Sequence, residues 1–134
     1  MSVEEITKAV NLMQSGKTPG PNGFPVEFYK ALDSLVGPHL LEMFKGAYET
    51  RKLPPNLEHA TIVVIHKKVK QSNQWDTYRP ISLLNTETKI LAKILAHRLV
   101  KVIPSRIHEN QTGFMPGRSA RQNLRRLHCW LDRL

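Results

Sequence analysis

The segment Gly16-Lys-Thr-Pro-Gly-Pro-Asn-Gly23 sets the first limit on what this chain can fold into, because three glycines and two prolines fall within eight residues. Proline fixes φ and removes a backbone donor, and glycine gives up the most conformational freedom on ordering, so neither a helix nor a strand can run through the stretch. It must form a shaped loop with separate elements on either side. Gly37-Pro38, Pro54-Pro55 and Pro104 cut the rest of the sequence further. Only short elements then fit into 134 residues, a length suited to one domain with a modest core at 40% hydrophobic content.

Before the loop, Ser2 and Glu5 form a capping box, and Val3, Ile6, Val10 and Met13 recur at helical spacing. After it, Pro25 suits a first helical turn. Phe28, Leu32 and Leu35 are expected on one face of a second helix ending at Gly37-Pro38, and Leu41, Phe44 and Tyr48 on a third that Pro54-Pro55 stops. The run from His59 to His66, HATIVVIH, is short, rich in β-branched residues and apolar on both faces, which predicts a buried strand. Tyr78 to Leu84 is its natural hairpin partner, with Pro80 marking an edge strand or a strand entry. From Thr86, the stripe Ile90, Leu91, Ile94, Leu95, Leu99 and Val102 predicts an amphipathic helix closed by Pro104. Gln111 to Arg118 is a glycine-containing loop. Ser119 and Gln122 then cap a last helix with Ala120, Leu124, Leu127, Leu131 and Leu134 on one stripe and Arg121, Arg125 and Arg126 off it. The expected fold class is α+β, mainly helical with a small antiparallel β-hairpin, in a single compact unit.

Charge is distributed unevenly. Residues 1 to 50 carry four basic and six acidic side chains, residues 51 to 87 six and three, and residues 88 to 134 ten and two, so the total of +9 comes almost entirely from the C-terminal third. Such a region attracts polyanions, nucleic acid first among them, although a solvated basic face fits the same count. The N-terminus opens with a polar helix signal and no apolar run reaches membrane-spanning length, so an intracellular setting, nucleus or cytoplasm, is expected, with no membrane association. Cys129 is the one cysteine, which rules out a disulfide framework within the chain.

No enzyme is named by spacing alone. Asp33, Asp76 and Asp132 are isolated in sequence, Glu4-Glu5 is explained by helix capping, and the six histidines show no ligand spacing. No catalytic residue and no metal site are therefore assigned. Gly16-Lys17-Thr18 lacks the upstream glycine of a phosphate-binding loop, and no G-x-S-x-G motif is present. Lys67, Lys68 and Lys70 follow the first strand, and Arg79 lies on the proposed return strand. In a hairpin these groups could converge on phosphate oxygens, while a solvated hairpin tip is the simpler account of the spacing alone.

The order of the motifs resembles the reverse transcriptases of LINE-type (non-LTR) retrotransposons. The resemblance runs nearly end to end. It rests on Lys17-Thr-Pro-Gly-Pro-Asn-Gly-Phe-Pro-Val-Glu-Phe-Tyr-Lys30, on Leu53-Pro54, and on Ala60-Thr-Ile-Val-Val-Ile-His-Lys-Lys68. It continues through Tyr78-Arg-Pro-Ile-Ser-Leu-Leu-Asn85, Lys89-Ile-Leu-Ala-Lys-Ile-Leu-Ala-His-Arg-Leu99 and Gln111-Thr-Gly-Phe-Met-Pro-Gly-Arg118. The Tyr78 to Asn85 and Gln111 to Phe114 blocks are the most specific.

In that family these blocks build the fingers and the approach to the palm of a right-hand polymerase. The resemblance implies one partial reverse transcriptase domain over residues 1–134, truncated before the palm sheet. It implies that Lys67, Lys68 and Arg79 hold the incoming deoxynucleoside triphosphate. Gln111, Gly113, Phe114 and Arg118 match a loop that positions template and nucleotide, and the basic Arg121, Arg125 and Arg126 extend a nucleic-acid-binding surface. Gly20, Pro21 and Gly23 match the family's early glycine-proline loop. Asn22 stands where the family usually has Asp, His66 where Pro is common, and Glu87 where Asp is frequent. The family's catalytic aspartates lie beyond Leu134, so the chain is expected to be inactive alone. Magnesium is expected only for the complete polymerase, and the implied partners are RNA or DNA template-primer, deoxynucleoside triphosphate and a palm-bearing polypeptide. Two other readings are a captured basic RNA- or DNA-binding module and a decayed reading frame without function.

Overall fold

In a computed structural model, residues 1–67 and 75–132 of the chain are described, and they fall into two units, Met1–Ile94 and Leu95–Leu134. Helix α1 runs Val3–Asn11. Its first turn is closed reciprocally, the Glu5 N–H reaching the Ser2 hydroxyl at 3.4 Å and the Ser2 N–H donating to the Glu5 carboxylate at 3.1 Å. Lys30 closes the other end by donating from Nζ to the Met13 carbonyl at 2.8 Å and to the Ser15 hydroxyl at 3.1 Å.

Helices α2 (Val26–Ala31) and α3 (Asp33–Thr50) follow the loop. The break between them falls at Leu32, with φ −112° and ψ 25°, and not at the expected Gly37-Pro38. Pro38 sits in the second turn of α3, so it removes one hydrogen bond near the helix start without ending the helix. Gly37 is buried because α1 packs there, and a Cβ at this position would lie 3.3 Å from Val3 Cγ1. The buried face also differs from the expected one. Of the expected face, Phe44 is buried and Phe28 and Leu41 pack against the core, but Leu35 and Tyr48 are exposed, and Val26, Tyr29 and Leu40 are buried instead.

The core of the first unit joins Ile6, Ala9 and Val10 of α1 to Tyr29, to Leu40 and Phe44, and to Ile90 and Ile94. The last two lie on helix α4 (Thr86–Arg106). Ile6 and Ile90 are completely removed from solvent, a transfer that stabilises by about 1.5–3 kcal/mol per side chain.

Strands β1 (Ala60–His66) and β2 (Tyr78–Leu84) pair antiparallel, in register from Ala60 opposite Leu84 to His66 opposite Tyr78. Short 3₁₀ turns at Pro55–Leu57 and Trp75–Thr77 precede them. A two-stranded ribbon has only edge strands, the place where Pro80 costs least. The expected burial of β1 is not found. Ile62 is 67% exposed and Val64 63%, because the ribbon has no layer of described residues over either face.

The second unit holds the end of α4 and helix α5 (Ala120–Leu131). Helix α4 continues past Pro104, which lies within its last turn and does not close it. At the start of α5 the Gln122 side chain accepts from the Ser119 N–H at 3.4 Å. None of the α5 residues is buried, and the expected stripes along α4 and α5 are open at Leu95, Leu99, Leu124, Leu127 and Leu131. Leu134 lies outside the described residues. The architecture is thus α+β with one small antiparallel sheet, and among the described residues no helix is long and apolar enough to cross a membrane.

Candidate functional site

The glycine-proline loop is held against the junction between β2 and α4. Gly20 to Gly23 is a turn with Pro21 at its first central position and the Gly23 N–H donating to the Gly20 carbonyl at 3.0 Å. Gly20 lies so close to Asn85 that a Cβ would fall 2.4 Å from its backbone nitrogen, a distance only glycine tolerates. Asn85 is buried, and it accepts from the Asn22 N–H at 3.1 Å while its amide donates to the Asn56 carbonyl at 2.8 Å. Its neighbour Thr86, also buried, donates to the Phe24 carbonyl at 2.6 Å.

One residue further on, the Glu87 carboxylate receives the Asn22 side-chain amide at 2.9 and 3.0 Å. Burial first, and then the bonded Glu87 carboxylate, push the Tyr29 hydroxyl well above the usual tyrosine range. Tyr29 is therefore a neutral donor at any physiological pH. Asn22 and Glu87, the two positions that depart from the resembled family's usual aspartates, are thus direct partners. Sequence reasoning assigned no role to Tyr29, Asn85 or Thr86. The available signal was a polar Asn-Thr pair set between a strand and a helix that are both otherwise apolar.

The basic end of the hairpin is built by its register. Ile65 is opposite Arg79, so pleat alternation places Arg79 and position 67 on the same side of the ribbon. The Lys67 N–H donates to the Thr77 carbonyl at 2.7 Å, and its ammonium donates to the Asp76 carbonyl. Arg79 is exposed, and its guanidinium makes no hydrogen bond or ion pair with another described residue. On the other side His66 meets Tyr78 edge to face, ring centres 5.3 Å apart. Lys68 and Lys70 lie outside the described residues.

The remaining sequence-predicted residues belong to the second unit, where they divide by what they touch. Arg118 donates to four carbonyls, those of His108 at 2.8 Å, Gln111 at 3.0 Å, and Pro104 and Ile107 at 3.3 Å each. These include acceptors left open at the end of α4, so the guanidinium fastens loop to helix. Gln111 turns back to the Gly113 carbonyl at 3.4 Å. Arg126 pairs with Glu109 at 2.8 Å and also bonds the Asn110 side chain. Arg121 and Arg125 make no such bond among the described residues. An open groove of about 690 Å³ runs past Asn110, Asn123, Arg125, Leu127 and Trp130. Phe114 stands out of the loop, fully exposed and with φ at +58°. Among the described residues no three His, Cys, Asp or Glu side chains converge as a metal ion requires.

Residues 65–133 match the family described as reverse transcriptase (RNA-dependent DNA polymerase). The chain is 31% identical to the 149 kDa protein of transposon TX1 from Xenopus laevis, over 92% of this chain and 9% of that protein. It is 30% identical to a probable RNA-directed DNA polymerase from transposon BS of Drosophila melanogaster, over 93% of this chain and 14% of the other. It is 27% identical to the RNA-directed DNA polymerase from mobile element jockey of the same fly, over 85% and 13%. The chain spans 9 to 14% of the length of these relatives. The family match takes in β2, α4, the Gln111 to Arg118 loop and α5, and the chain belongs to the reverse transcriptase family, within which it resembles the polymerases of non-LTR retrotransposons.

Proposed function

We propose that this chain is the fingers portion of an RNA-directed DNA polymerase, receiving deoxynucleoside triphosphate and template-primer. The observation that supports this most is the hairpin register, which sets Lys67 and Arg79 on one side of the ribbon at its basic end. A guanidinium fork and an ammonium suit phosphate oxygens, and a charged phosphate is a stronger acceptor than the Asp76 carbonyl that Lys67 now meets. Lys68 is a third contributor. In the second unit, Gln111, Gly113 and Phe114 face template or nucleotide, Arg118 holds their loop, and Arg121, Arg125 and Arg126 meet the nucleic-acid backbone. Phosphate and sugar contacts suit an enzyme that must accept any sequence. Magnesium would serve the whole polymerase, and the described residues offer no donor set for it. A palm-bearing polypeptide inside the cell, in nucleus or cytoplasm, would cover the open ribbon and leucine stripes.

The purified chain is expected to give no primer extension on an RNA template with magnesium, and to bind deoxynucleoside triphosphate through the hairpin. Combined Lys67→Ala and Arg79→Ala should weaken that binding about tenfold or more, since each charge-assisted bond contributes roughly 1.5–3 kcal/mol. Templated synthesis above background, or triphosphate binding indifferent to both changes, would overturn the proposal. The charge of residues 88 to 134 favours a second reading, a basic nucleic-acid-binding module with no polymerase role. Strongly salt-dependent nucleic-acid binding lost in an Arg121→Glu, Arg125→Glu, Arg126→Glu variant, without triphosphate binding, would select that reading.

A further inference from the structure

Phe114 is the residue of the second unit whose conformation is hardest to explain by folding alone. Its φ of +58° lies in the left-handed region, which bulky side chains rarely adopt and which glycine adopts freely. Glycine is present one residue earlier, at Gly113, yet the positive φ falls on the aromatic residue. The ring gains no packing from this arrangement, since it is fully exposed. Its neighbour Met115, by contrast, is 7% exposed and anchors the loop.

The loop around Phe114 is fixed on both sides. Ahead of it, the Gln111 N–H donates to the His108 carbonyl at 3.1 Å and the Gln111 side chain reaches the Gly113 carbonyl. Behind it, Met115-Pro116-Gly117-Arg118 forms a turn with the Arg118 N–H on the Met115 carbonyl at 3.2 Å and Gly117 at φ +73°. The Arg118 guanidinium then ties the turn to the end of α4. Within this rigid frame the strained backbone does one thing, which is to hold an aromatic ring out into solvent.

We infer that Phe114 is a stacking platform for an unpaired base of single-stranded nucleic acid, with Arg118 a positioning residue that holds the platform. The inference rests on the nucleic-acid reading given above and assigns the ring a ligand chemistry within it. Charge complementarity selects the occupant. Residues 88 to 134 carry ten basic and two acidic side chains, and Arg121 and Arg125 have no described partner to neutralise them. Among residues 108–119, Phe114 is the one exposed large hydrophobic side chain, so the loop presents a lone ring rather than an apolar patch for a protein. A lone exposed ring within a segment rich in basic side chains suits a base on its face and phosphates drawn to the same segment.

The test is fluorescence anisotropy of the full chain with a labelled single-stranded oligothymidylate and with the same sugar–phosphate chain lacking bases. Phe114→Ala should weaken oligothymidylate binding roughly 5- to 100-fold and leave binding of the base-free chain unchanged. Phe114→Trp should keep the preference for bases. Phe114→Gly relieves the backbone and should lose the preference as Phe114→Ala does, with a thermal melt no lower than the parent's. If Phe114→Ala binds oligothymidylate as well as the parent, or weakens both ligands equally, the stacking role is overturned while nucleic-acid binding stands. If the parent chain binds neither ligand, the nucleic-acid reading fails and the platform with it.

Discussion

The helices of the first unit close on one another, and those of the second do not. Residues Met1–Ile94 bring apolar faces of four helices onto one another, so that Ile6, Val10 and Ile90 lose all or nearly all contact with solvent. Residues 95–132 have the same kind of amphipathic pattern, yet Leu99, Leu124, Leu127 and Trp130 are each more than half exposed. Apart from the buried Met115, what orders the second unit is polar, namely the Arg118 carbonyl contacts and the Arg126 pair with Glu109 and Asn110. The pair is exposed, and an ion pair of that kind contributes at most about 1 kcal/mol. A similar hydrophobic period therefore has two outcomes, and the difference lies in whether a facing layer is present.

The sharpest break of this comparison comes from deleting a side chain where the facing layer exists. Ile90→Ala should destabilise the first unit by about 2–5 kcal/mol, because the lost transfer energy and the cavity add together. Urea denaturation followed by far-ultraviolet circular dichroism measures this. A cost below about 1 kcal/mol would mean that the helices do not form a fixed core.

A smaller effect is expected at the polar junction of the same unit. Asn22→Asp replaces the amide that donates to Glu87 at 2.9 and 3.0 Å with a second carboxylate. The lost bonds and the added repulsion should cost about 1–3 kcal/mol. Adding Glu87→Gln should recover most of it, since an amide can again face a carboxylate. An Asn22→Asp chain as stable as its parent would show that the two residues do not depend on each other.

Much of this first unit is legible in the sequence, for reasons that differ by element. The capping box at Ser2 is local, so four residues suffice to read it. The hairpin follows from two β-rich runs of matching length, and its register sets Ile65 against Arg79. The break at Leu32 was not legible, because Gly37-Pro38 looks like a stop until α1 is seen to need Gly37 for close approach. Nor was the burial of Asn85 and Thr86, since a polar side chain is buried by long-range partners at positions 22, 24 and 56, which no local period records. At the candidate site the cationic residue types were visible, but their division was not. Arg118 and Arg126 look like Arg121 and Arg125 in sequence, and only the placement of backbone carbonyls and of Glu109 separates them.

The smallest effect is expected in the second unit, and it sharpens the comparison by matching the chemistry of the first test. Leu127→Ala removes an aliphatic side chain like that of Ile90, from a helix stripe predicted by the same period, but from a position that is 57% exposed. With little contact to lose and no cavity to create, the change should alter stability by less than about 0.5 kcal/mol, the range of surface substitutions. Urea denaturation under the conditions used for Ile90→Ala reads the contrast directly. A cost above about 1 kcal/mol would place Leu127 in a covered layer. If a palm-bearing polypeptide covers this stripe, the same substitution should become costly only in its presence, which turns a silent change in the isolated chain into a probe of the assembled polymerase.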